Sequence, residues 1–333
     1  MRVLVKVAIF AAGLSASQLP AQAPLAPVAC ATRGKFPAPL PLSLFEYDRT
    51  APLDVRDSLE SSHFGVDVHR VSFVSPKGGR ATGLLHVPHD SVRRTSGPLP
   101  GVVMLHGAPG DAAGMGGMAT PVARHGAIVF VLDAPFARRD KNNPLAFTPS
   151  DSVDQVQLII DLQRAVDVLI ARADVDAERL AFVGVSYGGA MGALFAGVER
   201  RIGAYALLVA DGGPAAHFTQ ADGRRMPTLP HISEAQWCRW FDAMEPLAST
   251  RLIGRASPAR VLFLWGKRDQ LVPPHLAAEL FRAAGDPKEE RWYDSGHGLP
   301  PAAYLDVIDW LARCIGLAPV PAEERAKFPV SAP

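Results

Sequence analysis

The chain is 333 residues long, with 48% apolar and 20% charged residues, which supplies a sizeable core and excludes a disordered chain. Single domains hold about 100–250 residues and α/β domains run longer, so one large domain is allowed. Lys+Arg of 34 against Asp+Glu of 33 leaves a net charge of +1, which argues against a nucleic-acid binder working through bulk charge, and three cysteines without a CxxC pair exclude a disulfide scaffold.

Residues 1–23 read as a secretory signal. Arg2 and Lys6 form a basic start, Val7 to Ala16 an apolar run, and Ala21-Gln22-Ala23 the small-x-small pattern of a cleavage site. The run is shorter than the ~20 apolar residues that span a bilayer. No later segment is long and apolar enough to span a membrane, so a secreted or periplasmic protein without a membrane span is expected. Cleavage before Cys30, with lipidation, is a rival reading that Pro27 weakens. An oxidising compartment would permit a Cys238–Cys314 disulfide; two buried thiols are the alternative, and Cys30 has no evident partner.

Residues 24–60 form an arm, Pro/Ala-rich through Pro41. A domain is expected over 61–317. It opens with a hairpin, Val71–Ser75 and Ala81–Val87, joined by Pro76-Lys77-Gly78-Gly79. Short apolar runs follow at Val102–Leu105, Ala127–Val131, Leu180–Val183, Ala206–Val209 and Val261–Leu264, with a weaker one at Glu290–Tyr293. Runs of this length and composition suit strands buried on both faces. A helical stripe begins near Ser152, and a last helix through Leu305–Leu311 stops near Gly316. The alternation predicts an α/β fold with a mostly parallel sheet, helices on both faces and an antiparallel hairpin at the N-terminal edge. In residues 318–333 four prolines disfavour regular structure.

In such a sheet the site lies beyond the carboxyl ends of the strands. After Leu180–Val183 stands Gly184-Val185-Ser186-Tyr187-Gly188-Gly189, a G-x-S-x-G between strand and helix. A strand that turns at once into a helix strains the serine backbone and leaves no room for side chains at Gly184 and Gly188. It also sets the hydroxyl at a helix N-terminus, which favours developing negative charge. A chance match is expected on the order of 0.1 times per chain, so the strand–turn–helix context matters. After Val102–Leu105 comes His106-Gly107-Ala108-Pro109-Gly110, where the N–H of Ala108, with that of Tyr187, could form an oxyanion hole. Asp269 follows Val261–Leu264 and suits an acid that orients an imidazole. His297, in Gly296-His297-Gly298, follows the last strand. His106 is read as a brace for its loop, and His217, His231 and His275 lie outside the strand-end positions. Each residue alone also fits a plain turn or surface role; the order Ser186, Asp269, His297, each after its own strand, carries the reading.

These residues resemble the α/β-hydrolase superfamily from about Gly65 to Ile315, through the motifs quoted and Trp265-Gly266-Lys267-Arg268-Asp269-Gln270-Leu271-Val272-Pro273. Within it the chain looks most like dienelactone-hydrolase-like and acetyl-xylan-esterase-like serine esterases, many of them exported. Asp174–Leu180 is also similar to prolyl-oligopeptidase-type catalytic domains. Two departures matter: the nucleophile position holds Ser186 rather than the Cys of true dienelactone hydrolases, and the residues ahead of the hairpin are too few for a propeller.

The resemblance implies a serine hydrolase that cleaves small carboxylic esters through an acyl-enzyme, without metal or organic cofactor. A peptidase or acyltransferase uses the same triad, and a non-catalytic binder is the alternative from another class. Residues 211–259, with Trp237, Trp240, Phe241 and Met244 at near-helical spacing, read either as a small cap shaping the pocket or as a helix packed on the domain. Trp237, Trp240 and Phe136, with Met118, are the candidate substrate contacts.

Overall fold

A computed structural model describes residues 42–92, 97–219 and 232–327. The signal segment, the arm through residue 41 and Cys30 lie outside the described residues. No helix among the described residues is long and apolar enough to cross a membrane.

In chain order the strands are β1 (Arg56–His63), β2 (Val66–Val74), β3 (Arg80–Pro88), β4 (Leu99–Leu105), β5 (Ile128–Leu132), β6 (Val175–Val185), β7 (Ala204–Leu208), β8 (Arg260–Gly266) and β9 (Lys288–Tyr293). They form one sheet in the order β1-β2-β3-β5-β4-β6-β7-β8-β9. The first three strands and the β3–β5 pair are antiparallel, and every pair from β5 through β4 to β9 is parallel. Central strands β4, β5 and β7 are buried along their whole length, which is why they read as unbroken apolar runs.

The helices are α1 (Gly116–Arg124), α2 (Ser150–Ile170), α3 (Tyr187–Ala196), α4 (Pro214–His217), α5 (Glu234–Met244), α6 (Pro274–Ala283), α7 (Pro301–Ile315) and α8 (Ala322–Arg325). Successive strand residues face opposite layers, as the pleat requires. Val103, Phe182 and Phe263 pack with α2, α3 and α6 on one side; Val102, Val183 and Leu262 pack with α1 and α7 on the other. Gly316 ends α7 in the left-handed region at φ 76, its N–H bonding Ala312 O, a helix stop that glycine accommodates without a Cβ clash.

Three expectations change. Arg56–His63, which begins inside the span assigned to the arm and runs past its end, is an exposed edge strand. In the tail, Ala322–Arg325 is a helical turn that starts just after Pro321; proline suits a helix entrance because no N–H is needed there. Cys314 is a free thiol while Cys238 is disulfide-bonded, so the Cys238–Cys314 pairing is not formed.

Candidate active site

Strand β6 delivers Ser186 to the top of the sheet. The serine stands between β6 and α3 at φ 55, ψ −119, a strained conformation for a residue with a Cβ. Its N–H donates to Leu208 O at 2.8 Å, and its carbonyl accepts from Ala190 N at 2.9 Å, so the strain is held from both sides. The flanking glycines are sterically required. A Cβ on Gly184 would lie 2.2 Å from Gly188 O, and one on Gly188 would lie 2.1 Å from Leu105 O.

Asp269 follows β8 and His297 follows β9. His297 Nε2 is 2.9 Å from Ser186 Oγ, and its Nδ1 is 2.8 Å from Asp269 Oδ2. The second carboxylate oxygen, Oδ1, accepts from Leu271 N at 2.8 Å and Val272 N at 3.0 Å. The Asp269 side chain is fully buried and that of His297 is 26% exposed. Burial pushes the Asp269 carboxyl up, but the bonds from His297, Val272 and Leu271 overcome it and hold the group below the ordinary carboxylate range. Gly266 matters here: a Cβ would lie 2.2 Å from Gly296 O, so the His297 loop crosses the end of β8 only over a glycine.

The loop after β4 lies against Ser186, since a Cβ on Gly107 would stand 3.4 Å from the serine Cβ. His106 braces this loop as expected. Its Nε2 accepts from Ala134 N at 3.1 Å, leaving Nδ1 as the donor to Gly107 O at 2.7 Å, a bonding pattern that fixes a neutral tautomer. Burial lowers its pKa, against the smaller pull of the Gly107 carbonyl and of Asp133.

Ala108, Tyr187 and Ser186 share the wall of a pocket of about 120 Å³. The aromatic candidates lie elsewhere. Phe136 is 2% exposed and wedged edge-on between His106 and Tyr187, where it supports the site from behind. Trp237 and Trp240 are fully buried with Phe147, Phe241 and Met244 in a satellite core, and Trp240 Nε1 donates to Asp151 Oδ2 at 2.8 Å. They follow the packed-helix reading, and Met118 belongs to the core beneath α1.

The pocket contains a pair that the sequence reading passed over. Asp211 and His217 both line it, with His217 Nδ1 2.7 Å from Asp211 Oδ2. The signal was present in part. Asp211 follows β7 as Asp269 follows β8, and Gly212-Gly213-Pro214-Ala215-Ala216 leads from it to His217, but His217 does not itself follow a strand end.

Comparisons with known proteins bear on the fold. Residues 155–317 match the model of the Prolyl oligopeptidase family. The chain is 24% identical over 218 residues to the uncharacterized protein YfhR of Escherichia coli O157:H7, covering 66% of this chain and 69% of that one. Its fold is similar to an acetyl xylan esterase from Paenibacillus sp. R4 (TM-score 0.63, 20% identity, 82% of this chain and 91% of that one). It is also similar to acetyl xylan esterase 1 from Thermoanaerobacterium sp. JW/SL YS485 (TM-score 0.65, 16% identity, 82% and 91%). The sheet order, the helices on both of its faces and these structural matches together give the chain the α/β-hydrolase fold.

Proposed function

We propose that the chain is a serine esterase for small acyl esters. The observation that carries this reading is the continuous hydrogen-bonded line Ser186 Oγ–His297–Asp269. Ser186 attacks the acyl carbonyl while His297 Nε2 takes its proton. The N–H groups of Tyr187 and Ala108 stabilise the oxyanion. His297 then protonates the leaving alcohol, and water clears the acyl-enzyme by the same route. Asp269 keeps the proton on Nδ1 and stabilises the imidazolium.

Two features support small esters over other substrates. The leaving oxygen must stand beside His297 to receive its proton, and the pocket is lined by Ser186 and Ala108 but not by His297; it therefore faces the acyl side. Its volume of about 120 Å³ is well under the ~300–1,000 Å³ of sites for drug-sized ligands. The acetyl xylan esterases of similar fold act, by name, on a small acyl group. In the test, a fluorophosphonate labels Ser186 in the wild type, and Ser186→Ala lowers p-nitrophenyl acetate turnover by about 10³-fold or more while the fold persists. Near-full activity in that variant removes the nucleophile assignment, and a folded wild type that is never labelled favours the binder.

The same reading includes export. The basic start, the apolar run and the Ala21-Gln22-Ala23 site support the signal reading of residues 1–23. N-terminal sequencing of the mature protein is expected to start at Pro24; a retained Met1 in a cytosolic fraction contradicts it.

A further inference from the structure

The Asp211–His217 pair is built into the pocket wall at some cost. Beyond β7 the chain turns at Val209 with φ 45, a left-handed conformation that a β-branched residue rarely adopts. The turn is pinned by Val209 N–H bonding Leu264 O at 2.7 Å. Two residues on, Asp211 is almost wholly buried, with its side chain 4% exposed. Its Oδ1 accepts from Gly213 N at 2.9 Å and its Oδ2 meets His217 Nδ1. The carboxylate is thus fully engaged, and the imidazole is fixed by one nitrogen. Among the described residues none hydrogen-bonds the other nitrogen, Nε2, and the side chain keeps 29% exposure. Around it the pocket is mostly apolar, through Leu145, Ala190, Val209, Pro214 and Phe218.

We propose that His217 is a specificity residue for the acyl group, and that the pocket prefers short acyl chains bearing a hydroxyl over their hydrocarbon isosteres. This rests on the Ser186 reading above, because the pocket faces the acyl side only if Ser186 is the nucleophile. A hydroxyl suits Nε2 in either protonation state, since it accepts from an imidazolium N–H and donates to a neutral ring nitrogen. Burial pulls the His217 pKa down, but the bond to Asp211 and the charges of Asp211 and Asp269 win and raise it, which favours the donating form. A purely hydrocarbon acyl group would leave that nitrogen facing it unpaired, and a site built to hydrogen-bond discriminates against such a ligand.

The experiment compares matched p-nitrophenyl esters: 3-hydroxybutyrate against isovalerate, and lactate against isobutyrate, where hydroxyl replaces methyl. Each kcat/KM is divided by the ester's hydroxide-catalysed rate to remove inductive activation. The wild type is expected to favour the hydroxyacyl member by about tenfold or more. His217→Phe brings the ratio to one or below, and His217→Gln, whose amide both donates and accepts, keeps part of it. Fluorophosphonate labelling shows that each variant is folded with a working triad. A role confined to holding the turn would change stability and all rates together and leave the ratio alone. A wild-type ratio near one, or a wild-type ratio retained by folded His217→Phe, overturns the proposal. If neither variant folds, the wild-type ratio decides it. Hydrolysis without discrimination removes only His217 from its role, whereas an unlabelled, inactive wild type removes the Ser186 reading itself.

Discussion

Two glycines near the proposed catalytic residues Ser186 and His297 illustrate how differently similar sequence neighbourhoods are constrained. A Cβ at Gly188 would stand 2.1 Å from Leu105 O and 2.7 Å from His106 O, both backbone atoms at the root of the oxyanion loop. At Gly298, next to His297, a Cβ would meet nothing within 4 Å, and φ is not left-handed there. Gly188→Ala is therefore expected to cost about 3 kcal/mol or more, because β4 or α3 must move to admit one carbon. Gly298→Ala should stay within about 0.5 kcal/mol. Urea unfolding of both variants checks this, and equal midpoints would show that the crossing at Ser186 is looser than the distances imply. The G-x-S-x-G spacing made this constraint legible because the geometry that strains Ser186 is local. His217 was less legible: Asp211-Gly212-Gly213-Pro214 marks a turn, but the left-handed Val209 that precedes it has no pattern of its own.

At the scale of elements, legibility follows burial. Strands β4 to β8 are covered on both faces, so their apolar runs stand out from the helices between them. Helix α7 shows both its stripe and its stop at Gly316. Strand β1 reads Arg-Asp-Ser-Leu-Glu-Ser-Ser-His and is exposed along almost all of its length; an edge strand with no face to bury carries no alternation, and charge on it guards against further pairing. Helix α5 was legible as a helix, and its Trp237 and Trp240 stripe marked the face that packs inward. Whether that face met a substrate or a core depended on Phe147, Ala215 and Asp151, which come from two other parts of the chain. Helix α8 is likewise fixed from outside, by Arg325 pairing with Asp306 and Asp309 of α7, and a four-residue turn has no periodicity to read.

For the whole molecule, buried imidazoles set the response to acid. His86, on β3, is 2% exposed. Its Nδ1 lies 3.3 Å from Thr120 Oγ1 of α1, and its Nε2 has no partner among the described residues, so a charged ring would carry an unsatisfied N–H into the core. Burial, with a smaller effect from His63, lowers its pKa from 6.5 to about 4. His106 is shifted in the same direction, and its protonation would also break the bond from Ala134. Between pH 6.5 and about 4 the unfolded chain binds a proton at His86 that the native fold refuses, and His106 acts in the same direction, so stability falls as pH falls. His217, raised by Asp211, has the opposite sign: its contribution is complete below pH 6.5 and is lost only as pH rises through its folded value. Asp269, held low, starts to lose its contribution only below its unfolded value near 3.8. The buried imidazoles therefore dominate the upper part of the acid limb among these four groups. His86→Leu removes one of them, and its unfolding free energy should drop less between pH 7 and 4.5 than that of the wild type, by about 2 kcal/mol. Urea unfolding at the two pH values reads the difference directly, and parallel losses in both proteins would mean that the His86 ring takes up its proton in the folded state.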